Sequence, residues 1–400
     1  YGTPDHGNKQ YFDGGEVVLD HAASSSPKLN DGEALGFSSC RLTITGNDGA
    51  PTTELIDTLD RNYSTTPGPS VLSVVAGLNQ DCTLQFTALN RFSSNPIDFR
   101  TTDNGSGTAR IITESETDTA GILGSGYTYH GRTWAHVDAV GNIVGLADGA
   151  YSSTIDDNVH VDVPAGTTTV SAQKSIYTLR FDANADAGIE IDAGVQLRIQ
   201  NVGNTGPGIL VSPAVGNHAV TIGGDGAIYS SAFNLPFVIH QHNTNGILTI
   251  SAIIAENINN GLIKAGEGEV LLTNGGNTFD SNILIGRGTL SCTSISNIAD
   301  TCSLGRPQYT DAEGIDIVDG TLKYIGPGDT TDRRIELSGH GSLDASGSGK
   351  LTFTASSFLT LKDDVFHSFT LTGTGEGEIQ GNLAMRRGEL LKQGSGTWTL

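Results

Sequence analysis

Residues 261–307 read GLIKAGEGEVLLTNGGNTFDSNILIGRGTLSCTSISNIADTCSLGRP, and the opening phrase of this stretch returns at 390–400. LIKAGEGEVLL (262–272) aligns with LLKQGSGTWTL (390–400) at an offset of 128 residues. Identical residues fall at Leu262/Leu390, Lys264/Lys392, Gly266/Gly394, Gly268/Gly396 and Leu272/Leu400. Self-similarity at a fixed period marks a repeat architecture, in which each unit buries its apolar face only by stacking on the next. Each phrase reads as strand, glycine corner and second strand. Glycine takes positive φ without steric cost, and Val270 to Leu272 or Trp398 to Leu400 suit a pleated surface. The turn cluster Asn274-Gly275-Gly276-Asn277-Thr278-Phe279 follows, and then further short strands between glycines.

The same cadence runs through the rest of the chain. Strands are expected at 16–20, 41–45, 71–75, 83–89 and 109–113. From Trp134 they follow at roughly 8 to 15 residue spacing, the rhythm of an all-β protein, at 133–137, 143–146, 159–163, 176–181, 189–191, 196–200, 208–211, 219–222, 227–229, 236–240, 246–250 and 252–255. Beyond Pro307 come 315–318, 321–324, 334–337, 350–354, 359–361, 369–372 and 378–380. Residues 1–15 read as a polar lead-in or the tail of a preceding unit, and 57–70, with Pro67 and Pro69, as a loop thrown out from a regular stem. No eleven-residue window places apolar residues at i, i+3, i+4 and i+7.

Composition narrows the architecture. The 400 residues are 36% hydrophobic and include 53 glycines, poor in bulk and rich in corners, as a thin core requires. A sandwich needs domains bounded by linkers, and no proline-rich or charged linker occurs. A propeller needs four strands per blade at 40 to 50 residue intervals. A coiled β-solenoid needs only short strands, tight corners and tolerance of loops. With rungs of about 20 to 25 residues rising about 4.8 Å each, the chain would make some 16 to 20 rungs.

Charge and cysteines limit the function. Against 22 basic residues stand 44 acidic ones, a net charge of −22, which argues against nucleic acid as a partner. No apolar run approaches the roughly 20 residues that span a bilayer. Tyr1 opens no signal-peptide pattern, and Leu400 falls inside a recurring phrase, so a longer natural polypeptide is expected. Cys40, Cys82, Cys292 and Cys302 form no CxxC pair, which disfavours a structural zinc. In an oxidising compartment, disulfides are expected between Cys292 and Cys302, which flank a short loop, and between Cys40 and Cys82.

At this point the residues resemble a known family. LIKAGEGEVLL, then Asn277-Thr278-Phe279, then Gly286-Arg287-Gly288-Thr289-Leu290, is similar to the autotransporter-associated β-strand repeat, with Asp280-Ser281-Asn282 in place of its usual Thr-Gly-Gly step. GTLKYIG (320–326), TTDRR (330–334) and SGSGKL (346–351) resemble spacers of such surface proteins, and GSGYTYHGRTWAHVDAVGNIVGL (124–146) their longer inserts. The likeness covers residues 134–400; 1–123 match only in style. It implies an elongated right-handed parallel β-helix, exported as a passenger, adhesin or fibre on a bacterial surface, with surface glycans, other cells or further copies of itself as partners. On this basis the segments are 1–133, a β-solenoid with longer loops; 134–260, a β-solenoid; 261–389, a repeat with its spacer; and 390–400, the start of the next repeat.

Few residues suggest chemistry. His240 and His242 alternate in HQH, so both imidazoles leave one face of a strand, a spacing that can bind zinc or copper. No third ligand is near, and a solvated pair beside a corner is the plainer reading. Asp182, Asn184, Asp186 and Glu190 in DANADAGIEID resemble a calcium loop, but glycine falls at the seventh position and Ala193 at the twelfth, so a polar β-corner fits better. Asp156-Asp157 and Asp363-Asp364 sit at turns. No G-x-S-x-G or G-D-S-G phrase occurs, and no catalytic residue and no cofactor are expected. The sequons Asn62-Tyr63-Ser64 and Asn104-Gly105-Ser106 matter only in a glycosylating source. Tyr127, Tyr129, His130 and Trp134 either contact glycans or fold an insert over the stem. The expectation is a non-enzymatic structural or adhesive segment; the alternative is a polysaccharide-active or glycan-binding β-helix.

Overall fold

A computed structural model describes residues 9–60, 68–90, 95–118, 120–232, 234–255, 261–308, 314–362, 366–385 and 387–400. The sequon at Asn62 and the pair Asp363-Asp364 lie outside the described residues. Apart from two 3-10 turns, Asp148–Ala150 and Pro213–Val215, every named element is a β-strand. The chain divides into two compact units, Tyr1–Asp148 with Val202–Thr205, and Gly149–Asn201 with Gly206–Leu400.

In the first unit the chain alternates between two sheets. One holds Lys9–Asp13, Ala34–Ser38, Thr52–Asp60, Cys82–Leu89 and Ala109–Thr113, each parallel to the next. The other holds Glu16–Asp20, Arg41–Thr45, Ser70–Val75, Ile97–Thr102 and Tyr127–Tyr129, also parallel. Every second strand therefore returns beside its predecessor one coil on. Period-2 alternation sends Leu42, Leu72 and Phe99, aligned by register, into one buried core with Leu84, Phe86 and Ile111 from the other sheet. The parallel course ends where Thr133–Val137 pairs antiparallel with Tyr127–Tyr129 and Ile143–Gly145.

The second unit forms three ladders, visited in turn. One runs through Thr178–Phe181, Gly208–Val211, Phe237–Gln241 and Leu262–Ala265; a second through Ala187–Ile191, Val220–Gly223, Ile247–Ile250 and Glu269–Leu272. Lys174–Ile176, Gln196–Ile199, Ala227–Ser230 and Ile253–Ala255 make the third. The long strands Ile283–Cys292 and Ile315–Tyr324 belong to the first ladder with one half and the second with the other. Parallel pairing without helical crossovers is the geometry of stacked coils. Inside, Val270, Leu290, Leu322, Leu343 and Leu371 are register neighbours and at most 2% exposed. Each such side chain contributes about 1.5–3 kcal/mol by leaving water.

Several expectations need correction. The lead-in contains the strand Lys9–Asp13, and the expected loop 57–70 begins inside Thr52–Asp60, whose burial alternates along TTELIDTLD. Segments 315–318 and 321–324 are one strand, because pairing continues through Asp319 and Gly320 opposite Arg287 and Gly288. The expected disulfides are absent among the described residues: Cys40, Cys82, Cys292 and Cys302 are buried thiols. Cys82 opens a strand of one sheet while Cys40 precedes a strand of the other. Cys302 Sγ instead takes a hydrogen bond from the Arg333 guanidinium at 3.2 Å and faces the Gly305 carbonyl at 3.4 Å.

Candidate adhesive face

The outward side of the second ladder carries an aligned row of hydroxyl side chains. Register aligns Thr289 with Thr321, Thr321 with Ser342, and Ser342 with Thr370, on four successive rungs. All four are half-buried, and each precedes one of the core leucines 290, 322, 343 and 371. The alternation that buries leucine therefore turns a hydroxyl outward on each of these four rungs, at intervals of about 4.8 Å.

At one end this column reaches a concave site of about 290 Å³ lined by Thr244, Asn245, Ile247, Glu267, Glu269 and Thr289. Its charges are matched locally. Glu269 accepts the Ser291 hydroxyl at 2.5 Å and lies 3.3 Å from the Lys323 ammonium. The Arg287 guanidinium stands between Glu267 at 3.8 Å and Asp319 at 3.9 Å. Burial raises the Asp319 carboxyl, with Arg287 opposing.

Beneath this end lies Lys264, fully buried. Its Nζ donates to the carbonyl oxygens of Gly266 at 2.5 Å and Arg287 at 2.6 Å. Burial pulls its pKa down to about 7, against the raising effect of Glu267 and Glu269. Lys392 makes the matching bond to the Gly394 carbonyl at 3.0 Å, and Gly266 and Gly394 both have positive φ, 81° and 69°. The two similar phrases thus share one corner chemistry.

The other sequence candidates fall elsewhere. The His240 and His242 rings stack with centroids 6.0 Å apart, His240 buried and His242 half-buried. Asp182 accepts the Ser212 hydroxyl at 2.5 Å, whereas Asp186 turns to the Ala219 amide at 2.8 Å and the His218 ring at 3.3 Å. Asn184 is exposed. Among the described residues no group of three or more His, Cys, Asp or Glu is placed to hold a metal ion. Tyr127 and Trp134 are fully buried, which fits an insert folded inward. Asn104 bridges Gly107 in a tight turn that contains the second sequon. No helix among the described residues is long and apolar enough to cross a membrane.

The sequence is 28% identical over 379 residues, 91% of this chain, to a protein described as adhesin BmaC autotransporter, from Brucella suis biovar 1 (strain 1330). The chain spans about a tenth of that adhesin's length. The alignment takes in 91% of the chain, so the resemblance is not confined to the two glycine-cornered phrases. No protein-family model matches the chain, and no solved structure matches it.

Proposed function

We propose that this chain is an extracellular, non-enzymatic adhesive segment of a bacterial surface protein, built as a right-handed parallel β-helix of recurring units. The observation that carries this reading is the match along 91% of the chain to an autotransporter adhesin. Parallel ladders and matched glycine corners support it: such coils supply reach and a continuous outer surface at little cost in core volume. A role as stalk or fibre, through association with further copies, belongs to the same proposal.

The test is attachment. Latex beads coated with the purified chain are expected to adhere to cultured epithelial cells above beads coated with denatured chain. Equal adhesion of the two would remove the adhesive reading. The glycan-binding alternative is favoured by one observation, the aligned hydroxyls Thr289, Thr321, Ser342 and Thr370.

A further inference from the structure

We propose that the hydroxyl column Thr289–Thr321–Ser342–Thr370 is a docking lane for an uncharged, extended polysaccharide lying along the column, with one end in the cup beside Glu267 and Glu269. This rests on the adhesive reading and names its partner.

Three features point to that occupant. First, each Thr or Ser hydroxyl offers one donor and two acceptor lone pairs, the same complement that a sugar hydroxyl offers in return. The column repeats this group once per rung, at about 4.8 Å, close to the advance of one sugar in an extended β-linked chain. Second, the hydroxyls stand on paired strands over the buried leucines 290, 322, 343 and 371. The lane is therefore preorganised, and binding spends little on ordering the protein. Third, charge selects the class. The carboxylates at the cup end face cations or hydroxyls of the chain itself, Glu269 with Lys323 and Ser291, Glu267 and Asp319 with Arg287. Beside Ser342, Asp344 takes the Ser346 hydroxyl at 2.5 Å. A neutral polymer brings no charge for these carboxylates to repel. An anionic polymer approaches against a net charge of −22.

A single hydroxyl contact is weak, so affinity must accumulate along the lane. Cellohexaose is the probe, with cellotriose and a hyaluronan hexasaccharide as comparisons, measured by titration calorimetry on the full chain. Cellohexaose is expected to bind about tenfold more tightly than cellotriose, because additional tethered contacts multiply. Hyaluronan is expected not to bind. The double variant Thr321→Val, Ser342→Ala keeps the shape of the lane and removes its central hydroxyls; it should lose cellohexaose binding with its circular dichroism and melting unchanged. Absent cellohexaose binding, binding unaffected by the double variant, preference for hyaluronan, or a lane-dependent dimer would each overturn the proposal. Bead adhesion separates the two levels: adhesion that survives in the double variant refutes the lane while leaving the adhesive reading intact.

Discussion

The ammonium of Lys264 donates to the carbonyl oxygen of Arg287 at 2.6 Å, joining two successive rungs at a corner where no water reaches. Its second bond, to Gly266, closes the corner within its own rung. Lys264 is thus a cross-rung staple, and Lys392 holds the corresponding Gly394 carbonyl from an exposed position.

Lys264→Met leaves both carbonyls without that donor inside the protein, and is expected to cost about 1–3 kcal/mol. Lys392→Met acts at an exposed site and should stay within about 0.5 kcal/mol. Urea unfolding of the two variants, followed by circular dichroism, checks the contrast. Equal effects would remove the staple.

The same lysine gives stability a pH dependence. Its folded pKa, about 7, lies below its ordinary value of 10.5. Between those values the unfolded chain holds a proton that the folded chain does not, so this site makes stability rise with pH across that window. Asp316 acts oppositely at lower pH: burial raises its carboxyl from 3.8 to about 6, with Lys362 opposing. There the folded chain holds the extra proton, and the site's contribution falls as pH rises from about 4 to 6. Urea midpoints should show a smaller rise from pH 7.5 to 9.5 in Lys264→Met, and a smaller fall from pH 4.5 to 6 in Asp316→Asn. Unaltered slopes in both variants would contradict these assignments.

The four thiols are buried, and burial pushes the Cys82 thiol up to about 12 and the Cys292 thiol up as well. Thiolate is the reactive form. The native chain is expected to be silent toward Ellman's reagent at pH 8, and to release four equivalents in denaturant without reductant. Two equivalents or none in denaturant would restore the disulfides expected from the sequence.

At Gly266, φ is 81° and an added Cβ would lie 2.3 Å from the Gln241 carbonyl oxygen of the preceding rung. Gly266→Ala is expected to cost at least about 1–2 kcal/mol from the left-handed conformation alone. Gly149, with nothing within 4 Å of an added Cβ, should accept alanine with little change. Thermal melting of the pair checks this.

Much of the fold was legible because inward apolar residues alternate regularly. Segments 16–20, 41–45, 109–113, 133–137 and 208–211 coincide with strands. Thr52–Asp60 was hidden by Glu54, a buried acid whose carboxylate accepts the amides of Lys28 and Leu29, so that an inward position reads as polar. Asp329–Thr331 was hidden because its inward Thr331 hydroxyl bonds the Ser296 carbonyl instead of packing against carbon. The candidate face was illegible for another reason: Thr289, Thr321, Ser342 and Thr370 recur at unequal intervals, since loops of different length separate the rungs. Only strand register brings them into line.

Stacking itself is open to one direct measurement. Thr249 and Thr372 are separated by five register steps, through Leu271, Ser291, Lys323 and Asp344. With the native thiols buried, nitroxide labels can be placed on Thr249→Cys and Thr372→Cys alone. Pulsed electron–electron resonance should then give a narrow distance distribution near about 24 Å, five rung spacings. A broad distribution, or one centred beyond about twice that spacing sum, would contradict a stacked coil.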